Sequence, residues 1–421
     1  MNTKRMVEIV AVAIAMLVAL TSVAPVMAQD ISAVVGEIDK NMDELIEATE
    51  VIHIQTDAIL GVEGIPDEVA DKAETVHLSS HALAHIGVYM ENNIAKLDTY
   101  KADPEKNKAK ILVTVGKIEA LRKLHQDTID AADFATTMEL PVTGKAPHEL
   151  VHVLIEDPDV IASPEAKSAA DAIHNALHAF DDASKAMRLN LEDLEYTLAE
   201  PPVMADISAV VGGIDNDMAE LIEATEVIHI QTDAILGVEG IPDEVADKAE
   251  TVHLSSHALA HIGVYMENNI AKLNTYKAAP EKDTTKILVT VGKIEALRKL
   301  HQDTIDAADF ATTMELPVTG KAPHELVHVL IEDPDVIASP EAKSAADAIH
   351  NALHAFDDAS KAMRLNLEDL EYTIAAAAPA VAPAATATAA PASTPKEPGF
   401  EAVFAIAGIL AIAYLVLRRT R

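Results

Sequence analysis

The chain has 421 residues, no cysteine and no tryptophan, and a formal net charge of −36 at pH 7. The lack of cysteine excludes disulfides, thiolate metal sites and covalently attached c-type haem. The charge argues against nucleic acid or an anionic membrane face as a partner, and suits a protein that attracts cations.

The first 28 residues read as an export signal. Lys4 and Arg5 open the chain, an apolar run occupies 9–23, and Val26-Met27-Ala28 supplies a small-residue cleavage site ending at Ala28. Residues 30–199 then recur as 206–375, at a constant offset of 176. The copies differ at ten positions, among them Glu37/Gly213, Asp43/Ala219 and Lys108/Thr284. Such a repeat marks one folding module used in tandem. The predicted domains are therefore 29–199 and 206–375, joined by a linker at 200–205.

Within the unit, apolar residues recur at helical spacing and no stretch alternates like a strand. Helices are expected over about 31–60, 66–97, 104–138, 148–156 and 164–196. Gly61 and Gly64 stop the first; Pro66 opens the second, with Asp67 and Glu68 on the positive end of its dipole. Pro141, Gly144 and Pro147 break the chain, and Ser163-Pro164-Glu165 opens the last helix. Four long helices with short connections predict an all-α fold of two tandem, near-identical up-down four-helix bundles.

All 18 histidines lie inside the two copies, nine in each. A helical wheel places His53 and His125 on core faces. It places His77, His81 and His85 on a flank of the second helix, and His174 and His178 on a flank of the fourth. Pairs four apart project from one face, close enough to share an ion. Neutral imidazole suits Zn, Cu, Ni or Fe. The candidate metal set is His77, His81, His85, His148, His152, His174 and His178, with His253, His257, His261, His324, His328, His350 and His354 in the second copy. His53 and His125, with His229 and His301, lie on alternate parallel helices and offer an axial pair for b-type haem.

Two further patterns compete. His148-Glu149-Leu150-Val151-His152 and its copy at 324–328 match the zinc-protease motif H-E-x-x-H, but Pro147 confines them to a short helix. Glu74-x-x-His77 and Glu149-x-x-His152, with Glu44 and Glu119, follow the order of ferritin-like di-iron ligands, yet Glu44 and Glu74 point away from their apolar seams. No nucleophile elbow, phosphate loop or dinucleotide fingerprint occurs. The pattern therefore favours non-enzymatic binding of divalent transition metal; the contrasting expectation is a purely structural or adhesive envelope spacer.

Residues 376–397 are rich in Ala, Pro and Thr and form a predicted stalk. Pro398, Gly399 and Phe400 follow, then an apolar run over 402–417 and the basic close Arg418-Arg419-Thr420-Arg421. This tripartite end, at 398–421, resembles the PGF-CTERM sorting signal of archaeal surface proteins. The resemblance implies export, removal of the hydrophobic tail by an archaeosortase, and a C-terminal membrane or lipid anchor. It covers only the end of the chain and says nothing about what the repeats do.

Overall fold

The computed structural model describes the backbone of residues 3–198, 207–278 and 280–377, with side chains from residue 31 except at 281, 282 and 377. The linker at 200–205, the stalk beyond Ala377, and Pro398, Gly399 and Phe400 lie outside the described residues. All regular structure described is helical. The first copy contains α1 (Thr3–Leu60), α2 (Asp67–Tyr100), α3 (Pro104–Asp130), α4 (Ala132–Thr137), α5 (Pro147–Glu156), α6 (Pro158–Ala162) and α7 (Pro164–Thr197). The second contains α8 (Ser208–Leu236), α9 (Asp243–Tyr276), α10 (Pro280–Asp306), α11 (Ala308–Thr313), α12 (Pro323–Glu332), α13 (Pro334–Ala338) and α14 (Pro340–Ala377).

Local chemistry explains the boundaries. Prolines stand in the first turn of α3, α5, α6 and α7, where a missing N–H costs nothing. Asp103 and Ser163 cap α3 and α7 by accepting from the amides of Lys106 and Ala166. Gly64 turns the chain after α1 with φ 81°, a backbone conformation open to glycine. Within the first copy α1 lies against α2 and α7, α3 against α2, and α5 touches α2, α3 and α7; the second copy repeats this pattern. Fully buried Ile52, Leu83, Met90, Leu121, Ile173 and Phe180 fill the space between them.

Three features depart from the expectation. First, α1 is longer than the helix expected over 31–60 and begins at Thr3. Second, the third predicted helix is broken at Ala131, whose φ of −108° and ψ of 137° are extended. No proline or glycine causes the break. Instead the turn lets Phe134 on α4 bury itself against His261 of the other copy, with ring centroids 5.6 Å apart. Third, the copies are not separate. The described residues up to Ala377 form one compact unit in which α3 runs against α10, α4 against α9 and α11 against α2.

Glycine makes the α3–α10 contact close. A Cβ built on Gly116 would stand 1.9 Å from the carbonyl oxygen of Val289, and one on Gly292 1.8 Å from that of Val113. Around this crossing Lys117 pairs with Glu295 at 2.7 Å, and the Tyr89 and Tyr265 hydroxyls donate to Asp303 and Asp127 at 2.7 and 2.6 Å. Phe134, Met138, Leu140, Phe310, Met314 and Leu316 form a separate apolar cluster with Ala82 and Ala258. Burying each large side chain there stabilises the contact by about 1.5–3 kcal/mol.

Candidate metal centre

The second copy covers the flank of α2 that a single-unit helical wheel assigns to solvent. His77, His81 and His85 are buried, each less than a tenth exposed. The first two join His53 of α1. The ring centroids of this triad lie 4.8 Å (His53–His77), 4.9 Å (His53–His81) and 4.6 Å (His77–His81) apart. One nitrogen from each falls within 4.8 Å of the others, and His229, His253 and His257 repeat the group.

The hydrogen bonds around the triad fix its tautomers. The Thr56 hydroxyl donates to the carbonyls of Ile52 and His53 at 2.9 and 2.8 Å, so its oxygen accepts from His77 Nδ1 at 3.2 Å. Ser80 donates to the His77 carbonyl at 2.6 Å, which leaves its oxygen to accept from His53 Nδ1 at 3.4 Å. His81 Nδ1 donates to the carbonyl oxygen of Thr313, in the other copy. With Nδ1 as the donor of each ring, each Nε2 keeps its lone pair. Yet Nε2 of His77 and Nε2 of His81 face each other at 3.1 Å. In the second copy the buried His257 Nε2 has no hydrogen-bond partner.

Burial, then the neighbouring imidazoles, hold His53 and His77 below the ordinary histidine range, although Asp57 and Glu315 pull the other way. Asp57 lies 3.5 Å from His77 Nδ1 and 3.9 Å from His53 Nε2. His53 is the triad's partly exposed member, so it forms the mouth of the site.

A second cluster lies on α5 and α7. His148 and His152 stack at 5.2 Å, His152 meets His174 at 4.9 Å, His174 meets His178 at 4.6 Å, and His178 returns to His148 at 6.3 Å. In this ring of four imidazoles His152 and His178 are exposed and His148 and His174 half-buried, with His174 Nε2 and His178 Nε2 3.2 Å apart. His148 Nδ1 donates to Asp130 at 3.0 Å. That bond lifts His148 above the ordinary histidine range against the opposing effect of burial. Burial would raise Asp130, but the bonds from His148 and Gln126 outweigh it and hold the carboxyl low. His324, His328, His350 and His354 repeat the ring.

The remaining histidines join neither group. His125 is wholly buried, stacks on Phe180 at 4.9 Å and bonds to the Leu83 carbonyl; burial pushes it down to about 3. His301 does the same against Phe356 and Leu259. His85 lies edge-on to Tyr89 and Phe310, and burial lowers it to about 4. His261 sits likewise against Tyr265 and Phe134. The di-iron carboxylates do not converge: Glu44, Glu74 and Glu149 are exposed, and Glu119 is held by Arg122 at 3.0 Å.

Spacing pointed to the histidines but not to what surrounds them. The residues it missed are Thr313 and its counterpart Thr137, at the turns that end with Glu315 and Glu139, because they reach the triads from the other copy. One local signal marks them: Glu139 and Glu315 end α4 and α11 at φ 52° and 50°, where a helix stop ordinarily takes glycine.

Among known families, the PGF-CTERM motif matches residues 397–419. The chain is therefore exported and anchored at the cell surface through its C-terminus. No curated protein and no solved structure matches the chain. Among the described residues no helix is long and apolar enough to cross a membrane.

Proposed function

We propose that this protein binds divalent transition metal at the cell surface without catalysing a reaction. One ion is held in each copy, by His53, His77 and His81 and by His229, His253 and His257. The four long helices of each copy act as an up-down bundle that presents these triads. An archaeosortase-type enzyme removes the C-terminal tail, a lipid takes its place, and the stalk lifts the pair from the membrane.

The observation that carries the reading is the 3.1 Å approach of two Nε2 atoms whose rings both give their hydrogen elsewhere. Two lone pairs face to face repel unless a cation stands between them. A tetrahedral ion with nitrogen ligands at about 2.0–2.1 Å sets those nitrogens roughly 3.3 Å apart. Three neutral imidazoles, each with Nδ1 tied by an oxygen, are the ligand-and-support arrangement of histidine metal sites. Zn, Cu, Ni and Fe suit such donors; Ca and Mg, which demand oxygen, do not.

The four-imidazole ring serves as a weaker, exchangeable site, since His152 and His178 are exposed and the Asp130 bond favours the proton on His148. Equilibrium dialysis of the metal-free chain against Zn²⁺, Cu²⁺ and Ni²⁺ tests the proposal. The expected result is two tightly held ions per chain, plus weaker ones. If no metal is retained more tightly than by a chain lacking its histidines, the protein is an envelope spacer.

A further inference from the structure

One carboxylate stands at the edge of each triad. Asp57 lies one turn beyond His53 on α1, where residues four apart share a face, and α2 packs alongside with His77. Its Oδ1 is 3.5 Å from His77 Nδ1 and its Oδ2 3.9 Å from His53 Nε2. Asp233 repeats this at 3.4 Å from His253 Nδ1 and 3.8 Å from His229 Nε2. Both carboxylates are exposed, and among the described residues neither pairs with a lysine or an arginine.

The carboxylate stands beside the ligand set and not in it. The atoms that gather within 4.8 Å of one another are three imidazole nitrogens. On His77 the Asp57 oxygen approaches Nδ1, the nitrogen turned away from an ion on Nε2, and there Thr56 is nearer at 3.2 Å. Asp57 therefore reaches a bound ion as a charge and not as a donor atom. Of the acids that act on His53 and His77 it acts most strongly, ahead of Glu315.

Three neutral imidazoles leave the charge of an ion whole. Nitrogen donors take soft monovalent ions such as Ag⁺ as well as Zn²⁺, so donor type does not choose between them. Coulombic attraction does choose: it grows with the product of the charges, and at one distance a divalent ion gains twice what a monovalent ion gains. We propose that Asp57 and Asp233 set the charge preference of the triads, favouring divalent over monovalent ions from just outside the ligand set. This rests on the triads being metal sites, and it narrows what they take.

Paired titrations of the full chain, metal-free at the start, with Zn²⁺ and with Ag⁺ in chloride-free buffer test this. A background of His253→Ala with His257→Ala leaves the first-copy triad. There Asp57→Asn should weaken tight Zn²⁺ binding about tenfold and Ag⁺ binding only about threefold, because the logarithm of the loss follows the charge of the ion. Asp57→Glu, which keeps the charge, should recover most of the difference. Asp233→Asn, whose triad is gone, should change either affinity less than twofold. Helicity by circular dichroism is expected to stay constant throughout. Losses that are equal for the two ions, as a merely orienting role would give, or greater for Ag⁺, would overturn the assignment while leaving the triad a metal site; so would an unchanged Zn²⁺ affinity. If the one-triad background and the unmodified chain both fail to bind Zn²⁺, the metal reading falls and this one with it.

Discussion

The buried triad and the exposed ring use the same side chain to opposite ends. In the triad the nearest oxygens to Nδ1 of His77, His53 and His81 are those of Thr56, Ser80 and Thr313, with the Asp57 carboxylate farther off at 3.5 Å from His77, and burial lowers His53 and His77. In the ring His148 is held by the Asp130 carboxylate, which favours the proton. One environment disfavours the proton on its rings; the other favours it on His148. Histidine count alone does not distinguish the two settings: burial at His53 and His77, and the direct carboxylate bond at His148, do.

The largest way to break the comparison is to separate the copies. Gly116→Ala with Gly292→Ala places each new methyl against backbone that no rotamer change can move, at a cost of about 3 kcal/mol or more. The triads should then lose tight Zn²⁺ binding in both copies while the imidazole rings keep theirs, which titration of the two classes would show.

Acid should act next most strongly, and first on stability. His125 and His301 are lowered to about 3 and His85 to about 4. Between pH 6.5 and those values the unfolded chain binds more protons, so stability falls as the pH falls. Each fully buried histidine accounts for up to roughly 4 kcal/mol of this loss. Metal-free protein should show a declining thermal midpoint from pH 7 to pH 4.5; an unchanged midpoint would mean these rings are not sealed in the folded state.

At milder acidity the two sites should separate. His53 and His77 are lowered, so the triad holds metal below pH 6.5; His148 is raised, so protons displace metal from the ring first. Zn²⁺ isotherms at pH 7 and pH 6 should show the weak class losing affinity by more than the tight class. The smallest effect is expected from Asp130→Asn. It removes the charge that stabilises protonated His148, and should improve ring binding severalfold at pH 6 without touching the triad. Titration at that pH checks the sign.

Much of the fold was legible because local signals and tertiary structure agree. Pro66, Pro104, Pro147 and Pro164 open helices, and Gly64 turns the chain after one. Histidines at i, i+4 do share faces. What stayed hidden depends on how the copies meet, since a duplicated sequence does not say whether its halves pack together. The α2 flank bearing His77 and His81 looks solvated on a single unit and becomes interior only when α11 covers it. The break at Ala131 has no breaker residue; Phe134 gains burial by it, and tertiary packing overrides propensity. Gly116 left one trace, an isolated glycine inside an otherwise apolar helical stretch, which ordinarily has a packing reason.

The most direct measurement is X-ray absorption at the zinc edge on the full chain loaded with two equivalents of Zn²⁺ per chain at pH 6. The account predicts a first shell containing three imidazole nitrogens at about 2.0–2.1 Å, lost in the His81→Ala, His257→Ala variant. A shell made of oxygen alone, or a nitrogen shell that survives those substitutions, would contradict it.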